Sequence, residues 1–258
     1  MTYDTIRTAR DGDVLTITLN RPERLNAAPP AMFDEIGAAL DDLDGARAVL
    51  IHGEGRAFCS GADLSARGAN DGGGGPFEAL TQSYNPTMLK LAQLPVPIVS
   101  AVAGPAAGIG CSLALAADFC LADETGYFLQ AFVNIGLVPD GGASWMLTRL
   151  VGKARATEMM LLGERIHAPQ AAEWGLIYRY VPDGRLMSEA KALAARLAAG
   201  PTLALGLMRQ GLAEALDGDY AAALQREAEN QRRAGGTADA MEGGISFLAK
   251  RKPVFQGR

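Results

Sequence analysis

Apolar and polar residues alternate along DVLTITL, residues 13–19, and Asn20-Arg21-Pro22 ends the run, which predicts a strand. Over 30–43 the period changes: Met32, Phe33, Ile36, Leu40 and Leu43 fall on one helical face, and Asp34, Glu35, Asp41 and Asp42 on the other. Residues 48–51 are apolar throughout and read as a short buried strand. The HGEGRAFCSGADL that follows collects Gly53, Gly55 and Gly61 at that strand's end. Helix is expected again over 77–94.

The uncharged run LAQLPVPIVSAVAGPAAGIGCSLALAA, residues 91–117, is long enough for a membrane span, which needs about 20 apolar residues in one helix. Pro95, Pro97 and Pro105 with Gly104, Gly108 and Gly110 exclude a single helix. Two buried elements fit instead: a strand over 96–102, then a glycine-rich turn into a small-residue helix over 109–117, closed by Asp118. Such a turn lets the backbone approach another group and leaves the helix's first N–H groups unpaired, an arrangement suited to an anion. The run lacks the Lys-Ser/Thr ending of a Walker loop and does not match G-x-G-x-x-G. An oxyanion hole and plain helix-to-sheet packing both remain open. The order strand, glycine turn, polar end thus occurs twice, at 48–61 and 96–110.

After Asp118 a strand, FCLA, is expected, and then FLQAFVNIGLVPDGG, a loop by its Gly136, Pro139, Gly141 and Gly142. Asp140 lies on that loop just before a helix starting near Ala143. It is either a functional carboxylate or that helix's N-cap. The rest reads as helices around one strand, LIYRYV. Long amphipathic helices run from Ser188 onward, interrupted at Pro201, and suit packing or subunit contact. Residues 65–76, SARGANDGGGGP, are expected to be a mobile loop over a site, or a surface linker.

The 258 residues suffice for one large domain, divided here into a core over 1–197 and a helical region over 198–258. Charge adjusts this picture little: the formal net charge of -5, with no dense basic patch outside the last few residues, argues against nucleic acid as a partner. Cys59, Cys111 and Cys120 are odd in number and set in apolar sequence, so no disulfide framework is expected. With an N-terminus that lacks an apolar core region, this leads to an expected cytoplasmic location with no membrane partner. Two histidines, His52 and His167, with no Cys-x-x-Cys or His-x-x-x-His pair, give a zinc site little support, and no metal is expected.

FCSGADL, AVAGPAAGIGCSLALAAD, IGLVPDGG and the ending EGGISFLAKRKPVF resemble, in order and spacing, the crotonase superfamily of enoyl-CoA hydratases and isomerases. The resemblance covers nearly the whole chain. It implies an α/β fold: a spiral of repeated ββα units with a C-terminal helical region that builds a trimer, often paired into a hexamer. It also implies an acyl-CoA thioester as substrate, with coenzyme A part of that substrate and no separate cofactor. The thioester oxygen would be held by the N–H groups of Ala62 and Ile109. Ile109 stands where many members have glycine, which alters the pocket but not the main-chain donor. Ser112 and Phe132 occupy the positions of the two glutamates with which hydratases activate water. Asp140 occupies the place of the functional aspartate of enoyl-CoA isomerases and aromatic acyl-CoA dehalogenases. The dehalogenases' histidine and tryptophan correspond to Ala92 and Phe132, so their covalent chemistry lacks its partners.

Ser112, Tyr84-Asn85-Pro86, Ala131-Phe132, GLVPDGG and FLAKRKPVFQG make the chain most similar to the branch that isomerises ring-epoxides of phenylacetyl-CoA. The catalytic set so implied is Asp140 with Ala62 and Ile109. Around it, Gly61, Asp63, Leu64, Gly108 and Gly110 belong to the turns, and Tyr84, Phe132 and Leu137 to the acyl pocket. Arg24, Leu25, Ala27, Phe247 and Lys250 are expected toward the coenzyme. Arg24 and Lys250 are the candidate cations for its phosphates, with solvated surface charge the competing reading. The implied activity is double-bond or epoxide/oxepin-type isomerisation with one Asp as acid and base. A hydratase and a catalytically idle acyl-CoA-binding protein remain as alternatives.

Overall fold

The computed structural model describes residues 2–65, 75–182 and 184–258. The expected loop over 65–76 therefore lies, apart from its ends, outside the described residues. In chain order, β1 (Ile6–Asp11) and β2 (Val14–Leu19) form a hairpin, with Gly12 at φ 57 between them. Helix α1 (Pro30–Asp41) follows, then β3 (Ala48–Gly53), and α2 (Pro76–Ala79). A π-helical turn, Leu80–Tyr84, separates α2 from α3 (Asn85–Gln93), so the helix expected over 77–94 exists in three pieces. Next come β4 (Ile98–Val102), β5 (Pro105–Ala107), α4 (Ile109–Leu115), β6 (Phe119–Ala122) and β7 (Tyr127–Leu129). Then follow α5 (Ala143–Leu150), α6 (Gly152–Leu162), β8 (Ile166–His167), α7 (Ala168–Glu173) and β9 (Arg179–Tyr180). The C-terminal helices are α8 (Leu186–Ala198), α9 (Thr202–Ala215), α10 (Tyr220–Gly235) and α11 (Ala238–Leu248).

The larger sheet has the order β1-β2-β3-β4-β6-β9 and is parallel from β2 onward. Its central strands are covered on both faces, which is why they read as unbroken apolar runs rather than as alternation. Val49, Ile51 and Ile98 join Met32, Phe33, Ile36 and Leu91 in one core layer. Ala48, Leu50, Val99 and Ala101 face the other way, onto Leu186, Ala190, Ala194 and Ala198 of α8, whose four-residue spacing makes one helical stripe.

Strands β2, β3, β4 and β6 are each followed by a short segment that joins a second ladder. Ala28 pairs with Ala62, Cys59 with Ala106, β5 with β7, and β7 with β8. Strand, second strand and helix thus repeat along the chain, which is the expected ββα spiral. The helical region is tied to the core by Arg209 of α9. It holds both Asp118 oxygens at 2.7 and 2.6 Å and donates to the Leu91 carbonyl at 3.0 Å and to that of Leu94.

Candidate active site

The second ladder fixes where backbone donors point. Ala28 N donates to Gly61 O at 2.8 Å, and Asp63 N donates to Ala28 O at 3.0 Å. A peptide is planar and trans, so directing the Gly61 carbonyl at Ala28 turns the Ala62 N–H to the opposite side. The Gly108–Ile109 peptide is held likewise. Gly108 O accepts from Cys111 N at 3.0 Å and Ser112 N at 3.2 Å, so the Ile109 N–H faces out of the start of α4. Among the described residues, neither N–H donates to another backbone group.

The turns touch at their glycines, both in the left-handed region: Gly61 at φ 111 and Gly108 at φ 53. A Cβ built on Gly108 would sit 3.8 Å from Gly61 Cα and 3.6 Å from Phe132 Cζ. Gly110 packs on Cys59 so closely that a Cβ there would come within 2.6 Å of its Cβ and its carbonyl oxygen. N–H groups on two turns in contact, one of them at a helix start, are of the kind that can stabilise an oxygen gaining negative charge.

The Asp140 backbone lies against the same helix. Ser112 Oγ of α4 donates to the Asp140 carbonyl at 3.0 Å. Gly141, at φ 59, lies on Ile109 and Ser112: a Cβ there would collide with Ile109 Cδ1 and come 2.8 Å from Ser112 Cβ. The N-cap of α5 is Gly142, at φ 80, with no side-chain cap bond. Asp140 is therefore not the N-cap of that helix, which corrects one of the two sequence readings.

Of the other expected site residues, Phe132 is buried against Gly108, while Leu64 and Leu137 are exposed near the turns. Tyr84 is buried, with its ring edge-on to Phe33 at 4.7 Å and its hydroxyl donating to Ala28 O at 2.9 Å, so it reaches the site through Ala28. Arg24, Leu25 and Ala27 form a strap beside residues 60–63, with Ser60 N donating to Leu25 O at 3.0 Å. Arg24 is exposed, as are Phe247 and Lys250 at the end of α11. Asp63 faces Arg21 at 2.8 Å. The Ser65 hydroxyl first, and then the Arg21 guanidinium, hold its carboxyl below the usual range against the effect of burial, which leaves it poorly suited as a base. Burial pushes the thiols of Cys59 up to about 11 and of Cys111 and Cys120 up to about 12, so none is a nucleophile at neutral pH. Among the described residues no cluster could hold a metal, and no helix is long and apolar enough to cross a membrane.

The sequence reading missed Arg21, Asn26 and Ala28. Asn26 is fully buried, and its amide donates to Glu54 O at 3.0 Å and Ala57 O at 2.8 Å. A polar residue between apolar neighbours was the one available signal.

A family model for enoyl-CoA hydratase/isomerase matches residues 9–258. The chain belongs to the enoyl-CoA hydratase/isomerase family. Relatives include a 1,2-epoxyphenylacetyl-CoA isomerase of Escherichia coli (strain K12), 42% identical over 95% of both chains. A probable enoyl-CoA hydratase of Rhodobacter capsulatus is 43% identical over 100% of both. The crystal structure of an enoyl-CoA hydratase from Bacillus anthracis superposes on this family member with a TM-score of 0.92, at 31% identity, covering 99% of this chain and 100% of that one. Names within the family thus span hydration and isomerisation.

Proposed function

We propose that this family member is an acyl-CoA isomerase that carries out a double-bond shift or an epoxide/oxepin-type isomerisation of an enoyl- or aryl-acetyl-CoA. The observation that carries the reading is the placement of the Asp140 loop on the first turn of α4, beside the outward-facing Ile109 N–H. A proton α to a thioester, or γ to it through a double bond, becomes acidic when the enolate oxygen is stabilised. Ala62 N–H and Ile109 N–H would supply that stabilisation. Asp140 would take the proton from one carbon and return it to another on the same face, so one carboxylate serves as base and acid. Ser112 and Phe132, standing where the resemblance assigns a hydratase's two glutamates, leave water addition without its acid–base pair. No cofactor enters this scheme, and coenzyme A acts as the substrate's handle, with Arg24 and Lys250 as its candidate cations.

The test is a panel of aliphatic and aromatic enoyl-CoA and epoxyacyl-CoA thioesters followed by absorbance and mass. On the best substrate, Asp140→Asn should lose about 10²- to 10⁴-fold in kcat, the usual worth of a general acid–base group, with Kd for the thioester unchanged. Near-normal turnover by the variant would remove Asp140 from the mechanism. Incorporation of solvent oxygen into product would favour the hydratase reading, which the Rhodobacter relative's name keeps in view.

The same reading extends to assembly: α9 and α10 enclose an apolar cleft of about 790 Å³, lined in part by Leu207, Met208, Leu212 and Leu224. Met208 and Leu212 are 60% and 72% exposed in the single chain. Their exposure supports a homotrimer or hexamer in which a second copy of the chain covers them, with Lys250 the residue that would reach a neighbouring subunit.

A further inference from the structure

Arg21 lies outside the glycine turns, yet it grips both flanks of the Ala28–Ala62 bridge. Its Nη1 donates to Ala27 O at 2.5 Å and to Asp63 Oδ2 at 2.8 Å, so one guanidinium nitrogen spans the residue before Ala28 and the residue after Ala62. Arg21 is only 22% exposed and Asp63 10%, which shields the pair from much of the screening that weakens surface ion pairs. The remaining Asp63 oxygen accepts from Ser65 N at 3.1 Å and Ser65 Oγ at 2.6 Å, so the carboxylate is held from both sides.

Arg21 is itself built in. Its N–H donates to Asn26 Oδ1 at 2.8 Å, and Asn26 N donates back to Arg21 O at 2.9 Å. Leu25 and Asn26 stand consecutively at φ 52 and 54, a left-handed pair without glycine. Such backbone persists where surrounding bonds over-determine it. The strain is local to the strap that fixes Gly61 O, and through it the direction of Ala62 N–H.

We infer that Arg21 and Asp63 are positioning residues for the Ala62 oxyanion donor: the ion pair sets the direction of that N–H without touching substrate. The inference rests on the oxyanion reading above and deepens it. An ion pair that served folding alone would change stability and leave the polarisation of a bound thioester as it was.

The experiment uses phenylacetyl-CoA labelled with ¹³C at the thioester carbonyl. Difference infrared spectra report the carbonyl stretch when the probe is bound, and α-proton exchange in D₂O reports enolate formation. In the wild-type protein, binding should lower the stretch. In Asp63→Asn and Arg21→Gln the lowering should shrink, and kcat for exchange should fall about 10- to 100-fold, part of the worth of a full donor, with KM within about twofold. Arg21→Lys, which keeps the charge, should recover part of both, and it supplies the reading should either of the other variants fail to fold. Folded variants with the wild-type stretch and wild-type exchange, differing only in Tm, would overturn the positioning role. Absence of any stretch change in the wild-type protein would instead refute the oxyanion reading itself.

Discussion

Replacing Gly110 with alanine tests whether the spacing between α4 and the Cys59 segment sets the two donors. The added Cβ would lie 2.6 Å from both Cys59 Cβ and Cys59 O and 2.7 Å from Cys59 Sγ, whereas carbon atoms settle at about 3.5 to 4.0 Å. Cys59 cannot yield easily, because its N–H donates to Pro105 O and its carbonyl accepts from Ala107 N, both at 2.9 Å. The start of α4, with Ile109, must then move by about 1 Å. A donor that belongs at about 2.7 to 3.1 Å from the oxyanion would stand at about 3.7 to 4.1 Å, outside hydrogen-bond range. Losing one such donor costs about 2.7 to 4 kcal/mol, or roughly 10²- to 10³-fold in kcat. Stability should respond less. Overpacking costs about 1 to 3 kcal/mol, offset by at most about 1 kcal/mol of helix propensity; the net loss of about 0 to 3 kcal/mol should lower Tm by no more than roughly 12 °C for a chain of this size. Steady-state turnover and a thermal melt on the same preparation separate the two effects. Gly244→Ala, where the added Cβ meets nothing within 4 Å, serves as the control without a clash: kcat should hold, and helix propensity should leave Tm unchanged or slightly raised. If Gly110→Ala keeps kcat within about threefold while Tm drops, the α4–Cys59 spacing does not govern the donors and the argument fails.

Glu242 anchors the segment after α11, accepting from Arg251 Nη1 at 2.6 Å, Val254 N at 2.9 Å and Ser246 Oγ at 2.9 Å. The Arg251 bond first, then the other two, pulls its carboxyl from 4.5 down to about 2. A depressed folded pKa contributes stability that is full above about 4.5 and lost as pH falls toward about 2, so the Tm deficit of Glu242→Gln should be largest near neutrality and close on acidification; a gap that stays constant in acid would contradict this. For assembly, the native mass in analytical ultracentrifugation should be that of three or six chains, and Leu212→Glu in the α9–α10 cleft should reduce it. A monomer in the unaltered protein would remove the second-copy reading of that cleft.

Much of the architecture was legible because the sheet's inner strands are covered on both faces: 48–51 and 96–102 stood out as apolar runs, and 30–43 as a helical stripe. β1 escaped because Ile6 is its one buried residue, so no alternation marks it. β5, β7 and β8 are two or three residues long and exist only because separate turns pair with one another, which no local pattern records. The glycine turns announced a possible anion site but could not decide between a hole and packing; the contact of Gly61 with Gly108, across 47 positions of sequence, is a tertiary fact. Arg21 and Asp63 stand 42 residues apart, and Arg21 was read simply as the end of a strand.

The three buried thiols bear on how the protein behaves outside the test of its chemistry. Cys59, Cys111 and Cys120 sit among the inward side chains of the core, and each is held in its thiol form by burial. An alkylating reagent or a peroxide meets them only in molecules that have opened. Modification by such reagents therefore counts opening events rather than exposed sites. Resistance to oxidants becomes a property of how seldom the core breathes, and the same substitutions that loosen the packing of α4 on Cys59 would set how fast the molecule ages in air.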